Sequence, residues 1–123
     1  NVEFLGFKAG EELEEIIKGA RFTLIPSIWY DNLPNTALES FQYSKPVIAS
    51  NIGSLPELVL DGVNGYLIEE GNIDEMAERI VELIKEDSKR KAFSKESQRD
   101  MDKFEMKKIT SQWNELVKNL CKS

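Results

Sequence analysis

The sequence predicts an α/β fold of the doubly wound type, in which helices flank a parallel β-sheet. Short strand-like runs alternate with helix-like segments along the chain, and the connections between them are short. Such an alternation implies right-handed crossovers and therefore parallel strands. The run KPVIAS at 45–50 is almost entirely apolar, as expected for a strand that is covered on both faces.

The strand-like runs are residues 2–7, 21–26, 45–50 and 65–70. The turn pairs Asp61-Gly62 and Asn64-Gly65 precede the last of them. Four strands are few for a sheet of this class, and the chain opens inside a strand-like run. We therefore expect the chain to be a piece of a longer protein, with the remaining strands preceding residue 1.

The helix-like segments are residues 11–20, 36–44, 55–60, 73–86, 88–99 and 102–120. The segment 73–86 has the clearest pattern, because its apolar residues recur at the spacing of one helical face. Asn72 and Glu75 supply a helix cap and its partner three residues on. The segment 88–99 is polar and is predicted to be a weaker helix.

Composition excludes several classes of function. The 123 residues suffice for one domain and carry a formal net charge of −6, with no histidine and one cysteine. Without histidine the chain cannot build a Ser-His-Asp triad or a Cys/His zinc site. Residues 1–84 hold 5 basic and 15 acidic residues, which argues against nucleic-acid binding. Residues 85–123 hold 11 basic and 7 acidic residues. This excess of basic residues indicates a solvated helix surface or contact with an acidic lipid surface.

A ligand site is predicted at the carboxyl ends of the strands, where open parallel sheets bind ligands. The loops 27–35 and 50–55 are predicted to lie there. The first loop runs into a helix near Asn35 or Thr36, and the free N–H groups of a first helical turn form an anion site. A phosphate bound there would take Asn35 and Thr36 as backbone donors.

Two acids, Asp31 and Glu39, stand eight residues apart on either side of this helix start. One interpretation is structural: Thr36 caps the helix, Glu39 reaches back to the Thr36 N–H, and Asp31 is an ordinary turn residue. In the other interpretation the acids bind a ligand. Because a carboxylate repels phosphate, Glu39 would then contact neutral groups such as ribose hydroxyls. The spacing alone leaves both interpretations open.

Residues 26–72 read PSIWYDNLPNTALESFQYSKPVIASNIGSLPELVLDGVNGYLIEEGN. In order, they contain Pro-Ser, an acid followed after seven residues by Glu, a PVIAS strand, Gly-x-x-Pro-Glu, and a D-G-x-x-G-x-L turn and strand. This series resembles the C-terminal lobe of the group 1, or family 4, retaining glycosyltransferases of the GT-B fold. The resemblance implies a Rossmann-like parallel sheet with flanking helices, forming an incomplete C-terminal lobe.

The resemblance also implies a function: transfer of a sugar from a nucleotide-diphosphate donor to an acceptor, with retention at the anomeric carbon. By position, Asp31 takes the place of the family's first glutamate, near the donor sugar hydroxyls. Glu39 takes the place of the second, which holds the ribose. These two are the candidate catalytic residues. The candidate donor-binding residues are Asn32, Leu33, Pro34, Asn35, Thr36 and Gly53.

Three positions depart from the family pattern. Asp31 is one methylene shorter than the usual glutamate, and Ser44 and Ser54 stand where glycines are common. These departures leave the sugar specificity open.

The resemblance makes residues 1–123 a partial C-terminal nucleotide-sugar-binding domain. The N-terminal acceptor domain is absent, as is the basic pair that steadies the diphosphate. We expect no cofactor, no metal and no nucleic-acid partner, and no transfer activity in the isolated chain. The parent protein is expected to act in polysaccharide biosynthesis, either free in the cytoplasm or in peripheral contact with the inner face of the membrane. The alternatives are a non-catalytic nucleotide-binding module and a structural α/β interaction module.

Overall fold

The computed structural model describes residues 1–30, 35–102 and 106–122 and confirms the predicted α/β class. A three-stranded parallel sheet is flanked by helices. In chain order the elements are α1 (Gly10–Gly19), β1 (Thr23–Ile25), α2 (Asn35–Gln42), β2 (Val47–Ser50), α3 (Leu55–Leu58), β3 (Gly65–Ile68), α4 (Ile73–Lys85), α5 (Asp87–Met101) and α6 (Met106–Cys121).

The strands pair in the order β1-β2-β3, and both pairings are parallel. In register, Ile25 lies opposite Ala49, and Ser50 lies opposite Ile68. The three carboxyl ends therefore meet at one edge of the sheet. All four residues of β2 are buried, which confirms that this apolar strand is covered on both faces.

Each face of the sheet has its own hydrophobic cluster, since alternate residues of a strand point to opposite faces. Val47 and Ala49 belong to a cluster with Ala37 and Phe41 of α2. Ile48 belongs to the other cluster, whose buried members from other elements are Tyr66, Ile68, Leu83 and Phe93. α2 and α4 therefore lie on opposite faces of the sheet.

The prediction of a strand at residues 2–7 is wrong. Val2, Phe4 and Phe7 are 82%, 96% and 93% exposed, and these residues form no strand. Gly6 has a φ of +68°, which is not an extended conformation. A strand is stabilised by hydrogen bonds to a neighbouring backbone, and residues 2–7 pair with no other strand of the described chain.

The predicted helices are present, with ends shifted by a few residues. The side chain of Asn72 accepts a hydrogen bond from the Glu75 N–H at 3.1 Å, which confirms the predicted cap of α4. The polar segment is a full helix, α5. On α6, Trp113, Leu116, Val117 and Leu120 are all exposed.

β2 and β3 approach each other closely at Gly65. A Cβ atom added there would lie 1.9 Å from the Val47 carbonyl oxygen, which is backbone and cannot rotate away. At Gly19, by contrast, an added Cβ meets nothing within 4 Å.

We predict that Gly65→Ala lowers the free energy of unfolding by about 3 kcal/mol, because the pairing of β2 with β3 must open to accept the methyl group. Gly19→Ala is the matched control and should change it by less than about 0.5 kcal/mol. Chemical denaturation of both variants measures the difference. If the two substitutions changed the free energy of unfolding equally, the close approach of β2 and β3 at Gly65 would be contradicted.

α2 ends in a Schellman motif with serine in the position that usually holds glycine. The Lys45 N–H donates to the Ser40 carbonyl and the Ser44 N–H to the Phe41 carbonyl, both at 2.9 Å. Ser44 has a φ of +57°, and among the described residues no other non-glycine residue has a positive φ. The left-handed conformation costs an L-residue about 1–2 kcal/mol.

We predict that Ser44→Gly raises the free energy of unfolding by about 1 kcal/mol, because the strain exceeds the entropy that glycine loses on folding. Ser88→Gly, in the regular helix α5, should have the opposite sign, lowering it by about 0.5 kcal/mol. Denaturant titration provides both values. Destabilisation by Ser44→Gly would show that the serine hydroxyl contributes more than the strain costs.

A hydrogen-bonded cluster joins β3, α4 and the start of α5. The Glu82 carboxylate accepts hydrogen bonds from the Tyr66 hydroxyl (2.8 Å), Arg79 (2.9 Å) and Lys89. The Arg79 guanidinium lies 4.5 Å from the centre of the Tyr66 ring. The hydrogen bond from Lys89 is the largest cause that lowers the pKa of Glu82, to about 2, and it outweighs the opposing effect of burial.

The lowered pKa predicts a pH dependence. Ionised Glu82 stabilises the fold above its ordinary pKa of 4.5, and this contribution disappears as the pH falls toward about 2. Glu82→Gln should therefore lower the Tm at pH 7 and have little effect at pH 2. Thermal unfolding between pH 2 and pH 7 measures the difference in Tm between the variant and the wild type. Glu70→Gln, at an exposed position, is the control. Parallel curves for Glu82→Gln and wild type would contradict the role of the charge.

Candidate functional site

The start of α2 lies at the carboxyl edge of the sheet, as the sequence predicts. Asn35 and Thr36 form the beginning of the helix, and both are exposed. The first N–H groups of a helix have no intrahelical acceptor, and they carry the positive end of the helix dipole. This turn can therefore accept an anionic group. The candidate residues Asp31, Asn32, Leu33 and Pro34 lie outside the described residues.

Glu39 lines a cavity of about 210 Å³ between α1 and α2. Leu13 and Ile17 of α1 form its apolar wall, and Gln42 and Tyr43 extend the polar side that Glu39 begins. Glu39 is half-buried. Within the described residues its carboxylate accepts no hydrogen bond and forms no ion pair.

The polar groups of this cavity suit neutral ligands better than anions. Glu14 and Glu39 both line it, and two carboxylates repel a phosphate. Burial, with a smaller contribution from Glu14, raises the pKa of Tyr43, so its hydroxyl stays protonated. Together with the Gln42 amide, the cavity offers acceptors for hydroxyl and N–H groups, and some donors.

Sequence reasoning missed the contribution of α1 and of residues 42 and 43. Leu13 and Ile17 follow the spacing of a helical core face, and Gln42 and Tyr43 belong to none of the recognised motifs. A cavity between two helices is created by their packing, and neither helix signals it alone. The available signal was the position of Gln42 at the end of α2 and of Tyr43 directly after it, three and four residues beyond Glu39.

The structural interpretation of the Thr36–Glu39 pair is not supported by the helix start. A capping box requires the carboxylate to accept a hydrogen bond from the threonine N–H, and in the described part of the chain Glu39 accepts none from Thr36. The Thr36 carbonyl accepts a hydrogen bond from the Ser40 hydroxyl at 2.8 Å. Glu39 is thus not needed to begin the helix.

Gly53 lies in the loop that follows β2, at the same edge of the sheet as the start of α2. Its φ of +61° is a conformation that favours glycine. Ile52 and Leu55, on either side of Gly53, share a hydrophobic cluster with Ala37 in the first turn of α2. The cluster therefore ties this loop to the helix start. After β1, Trp29 and Tyr30 are both strongly exposed, which leaves them free to contact a ligand.

Residues 1–100 match the family described as Glycosyl transferases group 1. The chain belongs to this family. The predicted membership of group 1 is thereby confirmed, and the sheet with its flanking helices has the Rossmann-like architecture of the C-terminal domain of GT-B glycosyltransferases.

Curated relatives of this group 1 glycosyltransferase chain are much longer than the chain itself. The glycosyltransferase MJ1178 of Methanocaldococcus jannaschii is 34% identical over 108 residues, which is 88% of this chain and 30% of that protein. O-antigen chain mannosyltransferase B of Escherichia coli is 27% identical over 111 residues, 90% of this chain and 28% of that protein. The chain thus spans about a third of the length of these relatives.

Solved structures share the architecture. Anabaena Alr3699/HepE in complex with UDP superposes with a TM-score of 0.86 at 25% identity, covering 95% of this chain and 32% of that one. The same protein in complex with UDP-glucose gives a TM-score of 0.83 at 26% identity, with the same coverage of each chain. In the ranges described here, no helix is both long and apolar enough to cross a membrane.

Proposed function

We propose that the parent protein transfers a sugar from a nucleotide-diphosphate sugar to an acceptor, with retention, and that this chain supplies most of the donor site. The observation that carries the proposal is the position of Glu39. Its carboxylate has no partner among the described residues and lines a cavity beside the helix turn that begins at Asn35. An anion site next to a site for hydroxyl groups suits a nucleoside diphosphate.

The charged and the neutral parts of the donor bind to different sites. The diphosphate lies at the first turn of α2, where the N–H groups of Asn35 and Thr36 donate to it. Glu39 accepts hydrogen bonds from the ribose hydroxyls, and the base enters the cavity toward Gln42 and Tyr43. Binding of UDP and UDP-glucose by Alr3699/HepE supports a nucleotide-sugar donor.

The remaining roles follow the family resemblance. Asp31 contacts the hydroxyls of the donor sugar, the backbone of Asn32, Leu33 and Pro34 follows the sugar and the diphosphate, and Gly53 allows the loop after β2 to approach it. Fixed N–H groups stabilise negative charge on the leaving diphosphate, so that catalysis is mainly electrostatic. Neither a metal nor a cofactor is required in this proposal.

In this proposal the acceptor binds to a part of the parent protein that this chain does not include. The similarity to the O-antigen chain mannosyltransferase B of Escherichia coli supports a role in polysaccharide biosynthesis. We place the parent protein in the cytoplasm, in peripheral contact with the inner face of the membrane.

Glu39→Gln tests the proposal, because it removes the charge and keeps the shape of the side chain. Loss of a charge-assisted hydrogen bond should weaken UDP binding about 10- to 100-fold, while the free energy of unfolding changes by less than about 0.5 kcal/mol. Calorimetric titration and denaturation measure the two effects. Exposed Glu78→Gln, on α4 and hence on the other face of the sheet, should change neither.

The outcomes separate the candidate functions. A variant that loses stability but keeps its affinity for UDP would support the structural module in which the acid is only a cap. Weak binding of UDP, GDP or ADP by the wild type, lost in Glu39→Gln, supports a donor site. Sugar transfer by the full-length parent then distinguishes the enzyme from a non-catalytic nucleotide-binding module.

A further inference from the structure

A chain of hydroxyl hydrogen bonds connects β1 to the first turn of α2. The Thr23 hydroxyl donates to the Ser40 hydroxyl at 2.8 Å, and the Ser40 hydroxyl donates to the Thr36 carbonyl at 2.8 Å. Ser40 is only 1% exposed, and its helical neighbours Ala37 and Phe41 belong to the hydrophobic cluster on this face of the sheet. The chain of bonds thus lies at an otherwise apolar contact.

The contact between β1 and α2 does not need polar groups to be stable. An alanine in place of Ser40 would pack against the same cluster, and only the part-buried Thr23 hydroxyl would lose its acceptor. Apolar packing is non-directional, whereas a hydrogen bond constrains distance and angle. The Thr23–Ser40 bond therefore adds a positional constraint on α2 that the cluster alone lacks.

This constraint acts on the part of α2 that forms the candidate donor site. Ser40 directly follows Glu39, and its hydroxyl holds the carbonyl of Thr36, a residue of the first turn. Thr23 is fixed in turn, because its N–H donates to the Pro46 carbonyl at 3.0 Å and it lies opposite Val47 in the sheet. A shift of α2 along β1 would carry the anion site and Glu39 with it.

We propose that Thr23 and Ser40 are positioning residues that set the location of the donor site relative to the sheet. The inference rests on the proposed function of that site. Neither side chain contacts the donor. Both act through α2, by holding the first-turn N–H groups and the Glu39 carboxylate where the diphosphate and the ribose reach them together.

The test compares donor affinity with stability. Ser40→Ala and Thr23→Val should each weaken UDP binding about fivefold, the effect of one net hydrogen bond, and the double variant should weaken it no further than the single ones. Thr23→Ser keeps the hydroxyl and should retain wild-type affinity. Calorimetric titration with UDP is made at a temperature where each variant is fully folded.

Ser97→Ala is the matched control. Ser97 is also a buried serine whose hydroxyl donates to a carbonyl four residues earlier, that of Phe93 at 2.8 Å, but it lies on α5. Ser97→Ala should lose stability much as Ser40→Ala does and keep its affinity for UDP. If Ser40→Ala fails to fold, the comparison of Thr23→Val with Thr23→Ser carries the test.

Two results would overturn the inference, and they differ. If Glu39→Gln loses affinity while Thr23→Val and Ser40→Ala keep it, the hydroxyl chain is merely structural and the proposed function stands. If the wild type binds neither UDP, GDP nor ADP, the proposed function fails and the positioning role fails with it. Non-additive losses of affinity, restored by Thr23→Ser, support the inference.

Discussion

The pairing of β2 between two parallel neighbours is the constraint on which the rest of the structure depends. β2 is buried along its whole length and presents alternate residues to the hydrophobic clusters on the two faces of the sheet. Its approach to β3 is close enough to require glycine at position 65. Because the pairings are parallel and in register, the loops after all three strands emerge at one edge, and a ligand site can form there.

α2 connects the sheet to the candidate site. Its first turn lies at the carboxyl edge of the sheet, and its other end is closed by the Schellman motif around Ser44. Between the two ends, Ser40 accepts a hydrogen bond from β1 and donates one to the first turn. The helix is thus held by directional bonds as well as by apolar contacts, which suits the role proposed for its first-turn N–H groups.

The charges of the site bear on how an acidic chain could bind the diphosphate of the proposed donor. The cavity beside Glu39 contains a second carboxylate, Glu14, and residues 1–84 are strongly acidic. Backbone N–H groups provide positive potential without a basic side chain, and the carboxylates are useful only toward hydroxyl and N–H groups. The proposed mode of binding therefore requires the phosphate and the ribose to occupy separate sites.

The amino-acid sequence by itself determined the α/β class, the buried strand β2, the cap of α4, the family and the position of Glu39 near a helix start. These features follow from local periodicity and from motifs that are contiguous in the chain. Only the tertiary structure decided that residues 2–7 form no strand, that Thr36 lies within α2, and that α1 completes a cavity at Glu39. A strand needs a neighbouring backbone, and a cavity needs two packed helices, so neither can be read from one segment alone.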